Sequence, residues 1–441
     1  MFPYIPVSKK DETYMLEVIG ATSVDDLFVD IPDTMKLKRD LDLPRHKSEI
    51  EIRNIIHKLA NKNTGASEKL CFLGGGTYDS YIPSIVPYLT SRSEFSTAYT
   101  PYQPEISQGT LHAIFEFQTL VSNLTDMHCS NASMYDGPTA AAEAALMAFD
   151  KQKGDTLFIS STVNPKIRAV VETYLKYRGY KVVVINQKDY ITDLDDYKER
   201  ISKEAVGLMV QSPNYYGIVE NYTEMFELST ENKALNIMYT DPSSLGILKT
   251  PGEYGVDIAI GDMQQFGNAM NYGGPHIGFM AANKKLMRKL PGRIVGEAED
   301  HSGKRAFVLT LQAREQHIRR EKATSNICSN QALNALSSTI YMSVLGKKGM
   351  KDIAINSTNK AHYLYNALLK TPVFKEVTKQ NFYREFLLES TVEVSELNKS
   401  LNDAGILSLT EVEKNIVQIA VTENRTKEEL DYFIKTMEVL S

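Results

Sequence analysis

The sequence predicts an α/β protein with a large domain built on a mainly parallel sheet, followed by a small C-terminal α/β domain. Three observations carry this reading. Between Leu70 and about Leu345, short apolar runs alternate with helical patterns at about 25 residues per unit, the spacing of βαβ crossovers. The runs Leu157–Ile159, Val182–Ile185, Leu208–Val210, Ile237–Tyr239 and Ile258–Ile260 are apolar almost throughout, as strands covered on both faces are. After Leu345 the texture changes to a long helix over Met350–Leu369, an apolar run at Phe382–Leu388, a helix over Val394–Ala404, a strand at Ile416–Val421 and a closing helix from Lys427 to Leu440.

The segment before the sheet reads differently. Pro3, Pro6, Pro32 and Pro44 interrupt short helical patterns, so the first 45 residues read as an arm that packs on something else. Lys47–Lys62 is an amphipathic helix, with Ile52, Ile55, Ile56 and Leu59 spaced to share one face. The expected division is therefore an arm and helices at 1–65, a large domain at 66–345 and a small domain at 346–441. Within the large domain, Leu111–Leu124 reads as a helix apolar on one side and Thr139–Phe149 as an Ala-rich helix.

Composition narrows the class. The 441 residues carry 49 basic and 55 acidic side chains, a net charge of -6, with 42% hydrophobic content. This is the balance of a soluble globular chain and gives no reason to expect nucleic-acid binding. No apolar stretch reaches the roughly 20 residues of a membrane helix, and Met1–Lys10 has no secretion-signal pattern. A cytoplasmic protein is expected. Cys71, Cys129 and Cys328 form no CxxC pair, which points to buried thiols rather than to a metal or redox site.

Four segments are candidates for chemistry. Gly74-Gly75-Gly76-Thr77 lacks the spacing and the lysine of a phosphate loop and reads as a turn. Asp136-Gly-Pro-Thr139 opens the Ala-rich helix with capping chemistry. A helix start is an anion site, yet Asp136 would compete with a phosphate there, so structural capping and a vestigial phosphate site both stay open. Asp241 ends a strand, where α/β sheets bind ligands. In pyridoxal-phosphate enzymes of the aminotransferase fold (fold type I) such an Asp pairs with the pyridinium nitrogen, while an Asp-Pro turn is the plain alternative. The following strand should then deliver the Schiff-base lysine. Here Gln264 and Gln265 stand at that place, ahead of Gly273-Gly274-Pro275-His276, and no lysine lies between Lys249 and Lys284. A glutamine amide is not nucleophilic, so no Schiff base forms at this position.

Two further segments are polar and distinctive. Tyr99-Thr-Pro-Tyr102-Gln103-Pro-Glu105 is a loop suited to lining a site or meeting a partner, or to forming a rigid turn. Arg314-to-Cys328, with Arg319 and Lys322, suits either a solvated charged face or an interface or anion contact.

Taken together, Tyr99–Gln108, Asn131–Glu143, Gln264–His276, Pro291-Gly-Arg293 and Arg314–Cys328 resemble, in this order, the N-terminal half of the glycine cleavage P-protein family. In many bacteria that half is a separate alpha subunit. The resemblance implies the fold-type-I transferase fold and a subunit of decarboxylating glycine dehydrogenase. It implies a partner beta subunit holding pyridoxal phosphate, with none bound covalently in this chain. It also implies a lipoyl H-protein that accepts the aminomethyl group from glycine, and an alpha2beta2 assembly. One departure is visible: Asn164 precedes Pro165 where the family leads one to expect histidine. On this reading Asp136, Thr139, Asn164, Asp241, Gln264, Gln265 and His276 mark a degenerate cofactor pocket. Tyr99, Tyr102, Gln103, Glu105, Arg319 and Lys322 are the expected contacts to the partner's site, and no metal site is expected. A self-sufficient enzyme using Lys249 and a non-catalytic scaffold are the competing readings.

Overall fold

A computed structural model describes residues 4, 6–65, 67–96, 100–312, 315–323, 325–327 and 329–439. The chain forms two compact units, residues 1–64 and 65–441. In the first, the helices Lys9–Ile19 and Glu49–Ala60 and the 3-10 turn Val24–Phe28 each begin with a capping box, Ser8/Asp11, Ser48/Glu51 and Ser23/Asp26. In each, serine and carboxylate satisfy orphan donors at the helix start reciprocally. Local capping matters here because none of the described residues of these elements is buried. Ile52, Ile55, Ile56 and Leu59 are exposed.

The second unit is organised by a seven-stranded sheet. Its strands are β1 (Cys129–Ser130), β2 (Thr156–Ser160), β3 (Lys181–Ile185), β4 (Ala205–Ser212), β5 (Leu235–Thr240), β6 (Ile258–Asp262) and β7 (Gly278–Ala282). They lie in the spatial order β1-β7-β6-β5-β4-β2-β3. Neighbours from β6 to β3 are parallel, and β7 runs antiparallel to both β6 and β1. All five apolar runs read from the sequence are strands of this sheet. Their alternate residues feed different cores: Leu157, Ile159, Ile258 and Ile260 pack on one face, Phe158 and Ala259 on the other. The first face is closed by the helix Gly137–Lys151, whose Ala140, Ala141, Ala142, Ala144 and Ala145 are fully buried. Such small side chains let helix and sheet approach closely.

Beyond the sheet come β8 (Ile294–Glu299) and β9 (Arg305–Thr310), an antiparallel hairpin not read from the sequence. The helix Gln108–Thr125 holds it: Gln118 Nε2 donates to Val295 O at 2.9 Å and Gln118 Oε1 accepts from Val295 N at 2.9 Å. A long helical element, Ala332–Leu368, follows, broken only at Gly346 (φ 57, ψ -174). This corrects the expected start at Met350. It leads into an antiparallel sheet of β10 (Phe374–Glu376), β11 (Glu385–Ser390), β12 (Thr410–Glu413) and β13 (Ile416–Ala420), ordered β10-β11-β13-β12. The apolar run read from Phe382 is a strand only from Glu385.

Cys71 is buried and Cys129 half-buried, its Sγ 3.6 Å from Ala282 O, whereas Cys328 lies outside the described residues. Among the described residues no helix is long and apolar enough to cross a membrane.

Candidate functional site

The carboxyl ends of β5 and β6, the start of the helix Gly137–Lys151, the Gly74–Gly76 turn and the start of β11 converge on two adjoining cavities. The inner one is lined by Tyr78, Asn164, Asp241, Tyr383, Arg384 and Glu385 among others, and holds about 30 Å³, room for about two water molecules. The outer one, about 360 Å³, is lined by residues including Asp136, Asn164, Lys166, Asp262 and His276.

Asp241 leaves β5 and is fully engaged. Its Oδ1 accepts from Ser243 N at 3.0 Å, Ser243 Oγ at 2.8 Å and Gln265 Nε2 at 2.6 Å. Its Oδ2 lies 2.6 Å from Arg384 Nη2. Arg384, delivered just before β11, is 1% exposed, and its Cζ sits 3.6 Å from the centre of the Tyr78 ring. Burial opposes its charge, but Asp241, then Tyr78, Tyr383 and Glu385, more than offset this and raise its pKa. The next residue, Glu385, accepts from Gly75 N at 2.7 Å and Tyr78 Oη at 2.9 Å. Burial pushes its carboxyl up, with Arg384 opposing.

The two glutamines after β6 are both buried and committed. Gln264 accepts from Tyr78 N at 3.0 Å and donates to Asn268 O at 2.8 Å, while Gln265 donates to Asp241. Lys249, the competing lysine, lies over the Tyr254 ring at 4.1 Å and lines neither cavity.

At the helix start every first-turn donor has a partner. Gly137 N donates to Asp262 Oδ2 at 3.0 Å, Pro138 has no N–H, Thr139 N donates to Asp136 Oδ1 at 2.8 Å and Ala140 N to Asp136 O at 3.0 Å. Asp262 also holds Gln264 N at 2.9 Å and His276 Nδ1 at 3.2 Å. That contact with Asp262 raises the His276 pKa, against the cost of burial. Asn164 caps the helix Pro165–Lys176: its Oδ1 accepts from Lys166 N at 2.9 Å, and its Nδ2 donates to Gly75 O at 2.9 Å. A histidine here would lose the compact cap that asparagine supplies.

Pyridoxal phosphate does not fit the chemistry of this arrangement: no amine stands at the end of β6, Asp241 is already ion-paired and the helix donors are taken. Among the described residues, no group of three or more His, Cys, Asp or Glu is placed to hold a metal.

The second set of candidates lies elsewhere, and none of its described members lines either cavity. Tyr102 is half-exposed and meets the His317 ring edge-on at 5.8 Å, with Arg293 Cζ 5.5 Å from its ring centre. Gln103 and Glu105 are exposed beside the 3-10 turn Pro104–Ile106. Gln108 pins this turn to the hairpin, donating to Pro104 O at 2.8 Å and to Phe307 O at 2.9 Å. Arg319 ends the short helix Gln316–Arg319, and Lys322 the 3-10 turn after it; both side chains are exposed. Tyr99 lies outside the described residues.

Sequence reasoning missed Tyr78, Arg384 and Glu385. Their signal was an Arg-Glu pair set inside the apolar run Phe382–Leu388, since charges in such a run are rarely buried unless paired.

The family model described as glycine cleavage system P-protein matches residues 3–437. The chain belongs to this family. A probable glycine dehydrogenase (decarboxylating) subunit 1 of Listeria welshimeri is 49% identical over 99% of this chain and 98% of its own length. One from Macrococcus caseolyticus is 47% identical over 99% of both. A crystal structure of glycine decarboxylase (P-protein) of the glycine cleavage system, in inhibitor-bound form, matches with a TM-score of 0.92 and 38% identity, covering 99% of this chain and 100% of that one. An apo cysteine desulfurase from Thermococcus onnurineus matches at 15% identity with a TM-score of 0.62, over 85% of this chain and 95% of that one. At that identity the likeness shows the fold alone, and it agrees with the fold type I expected from sequence.

Proposed function

We propose that this P-protein-family chain is the alpha subunit of decarboxylating glycine dehydrogenase and holds no complete active site. The cofactor, pyridoxal phosphate, sits in a beta subunit. The assembled enzyme decarboxylates glycine and passes the aminomethyl group to the lipoyl arm of an H-protein. An alpha2beta2 assembly and a cytoplasmic location belong to the same proposal, as does the division into 1–65, 66–345 and 346–441.

The observation that carries this reading is the pair Gln264–Gln265 where a Schiff-base lysine is required, with both amides spent on internal hydrogen bonds. The chemistry that the cofactor supplies, an electron sink for the decarboxylated carbon, therefore has to come from elsewhere. What this chain offers is a wall. Tyr102, Gln103, Glu105, Arg319 and Lys322, with Tyr99, are the side chains we assign to the partner's site and to the subunit contact, because aromatic and arginine side chains dominate such surfaces.

Glycine–bicarbonate exchange in the presence of H-protein and pyridoxal phosphate tests the proposal. The expected result is activity only when this chain and the beta subunit are mixed. Activity of this chain alone would overturn it, and a mixture no faster than the beta subunit alone would point to a non-catalytic scaffold.

A further inference from the structure

Arg384 is the largest fully buried side chain among the described residues. A guanidinium out of water is costly unless it is paired and its surroundings are preformed. Here they are. The flat cation lies on the Tyr78 ring, 3.6 Å from its centre. Its Nη2 lies 2.6 Å from Asp241 Oδ2, and Gln265 donates to the other oxygen of the same carboxylate. That contact is an ion pair rather than an aligned hydrogen bond, and Arg384 Nε has no hydrogen-bond partner among the described residues. The guanidinium is therefore held chiefly by charge and by its planar shape.

In enzymes of this fold, the strand-end aspartate holds another flat cation, the protonated pyridine ring of the cofactor, and a helix start holds the phosphate. In this chain the guanidinium occupies the aspartate, while the carboxylates of Asp136 and Asp262 occupy the first-turn donors Thr139 N and Gly137 N. Both charges have been replaced, each by one of the same sign.

We propose that the pocket is self-liganded: Arg384 stands in for the planar cation of a cofactor ring, Asp136 and Asp262 stand in for its phosphate, and the place filled by the Arg384 guanidinium, between Asp241 and the Tyr78 ring, accepts a small planar cation when Arg384 is removed. The proposal deepens the reading that the partner holds the cofactor, and it rests on that reading. It assigns the residues that exclude pyridoxal phosphate from this chain independently of the missing lysine.

The test is chemical rescue in the full-length chain. Arg384→Ala should melt several degrees below wild type. Low concentrations of guanidinium chloride should raise the melting temperature of the variant saturably and leave wild type unchanged. Urea, flat but uncharged, and sodium chloride should not raise the melting temperature of the variant. Equal responses of variant and wild type to guanidinium, or an Arg384→Ala chain as stable as wild type, would overturn the proposal. A second measurement needs no variant. Pyridoxamine phosphate, which has no aldehyde to label surface lysines, should show no saturable binding to wild type in equilibrium dialysis, and saturable binding would overturn the proposal. Exchange activity of the mixed subunits is read separately, so a failed rescue beside an active mixture removes this inference alone.

Discussion

Gln265 Nε2 donates to Asp241 Oδ1 across 2.6 Å, joining the third residue after β6 to the first residue after β5. Of the two glutamines at the expected lysine position, Gln265 is the one whose side chain reaches the aspartate. Gln265→Lys is expected to stay unlabelled all the same, because Arg384 keeps its place on Asp241. Incubation with pyridoxal phosphate, borohydride reduction and peptide mass spectrometry checks this. A reduced adduct on residue 265 would mean that the pocket admits the ring.

Glu143 is 4% exposed in the Ala-rich helix, and burial raises its pKa to about 7, with Ser325 and Arg178 opposing. A raised carboxyl binds its proton more tightly in the folded chain. Its contribution is favourable below the unfolded value of 4.5 and is lost as pH climbs to about 7. Glu143→Gln should therefore match wild type near pH 4.5 and exceed it above pH 7, by about 3 kcal/mol at most. Urea unfolding at the two pH values measures the difference, and a variant less stable at high pH contradicts the assignment.

His276 gives a dependence of the same sign by another route. Its pKa is raised by Asp262, so the stabilisation from the charged pair is full below about 6.5 and fades as pH passes the folded value. The destabilisation caused by His276→Gln should be largest near pH 6 and shrink at higher pH in thermal melts. A pH-independent loss would assign His276 to packing alone.

Gly74 leaves no room for a side chain: a Cβ there would collide with Glu385 Oε1 and Ala420 Cβ. Gly74→Ala should cost about 1–3 kcal/mol in equilibrium unfolding. Wild-type stability would mean that the turn yields easily and that Glu385 is less firmly held than its two hydrogen bonds suggest.

Tyr102 and Arg319 carry the proposed subunit contact. Tyr102→Ala should weaken assembly with the beta subunit, read by sedimentation, while the melting temperature of the isolated chain stays within about a degree because surface changes cost little. Full assembly by the variant would move the contact elsewhere.

The strands were legible because a sheet covered on both faces forces nearly every residue of Leu157–Ile159 or Ile258–Ile260 to be apolar. What escaped had weak or contrary local signals. β1 is two residues long, and β8 and β9 carry Glu297, Glu299 and Arg305 on a partly exposed hairpin. The helical element from Ala332 carries Gly346 and Gly349, residues that weaken a helical pattern, yet only Gly346 leaves helical geometry. Asp241 and the two glutamines stand out in the sequence by their places after strands, and Asp241 lines the inner cavity. Arg384 does not stand out, because it arrives more than 100 residues later, and only folding sets it on Asp241.

The break at Gly346 decides how this part of the molecule comes apart. Ala335, Tyr341 and Met342 before it lie in the core under the large sheet, while Ala361, Leu364 and Leu368 after it lie in the core of the small one. A single backbone rod, bent once, is thus structural material for both. Neither sheet can shed its share without exposing the other's, so the two proposed domains should melt as one cooperative event, and a chain severed at 345/346 would leave each with an uncovered apolar face.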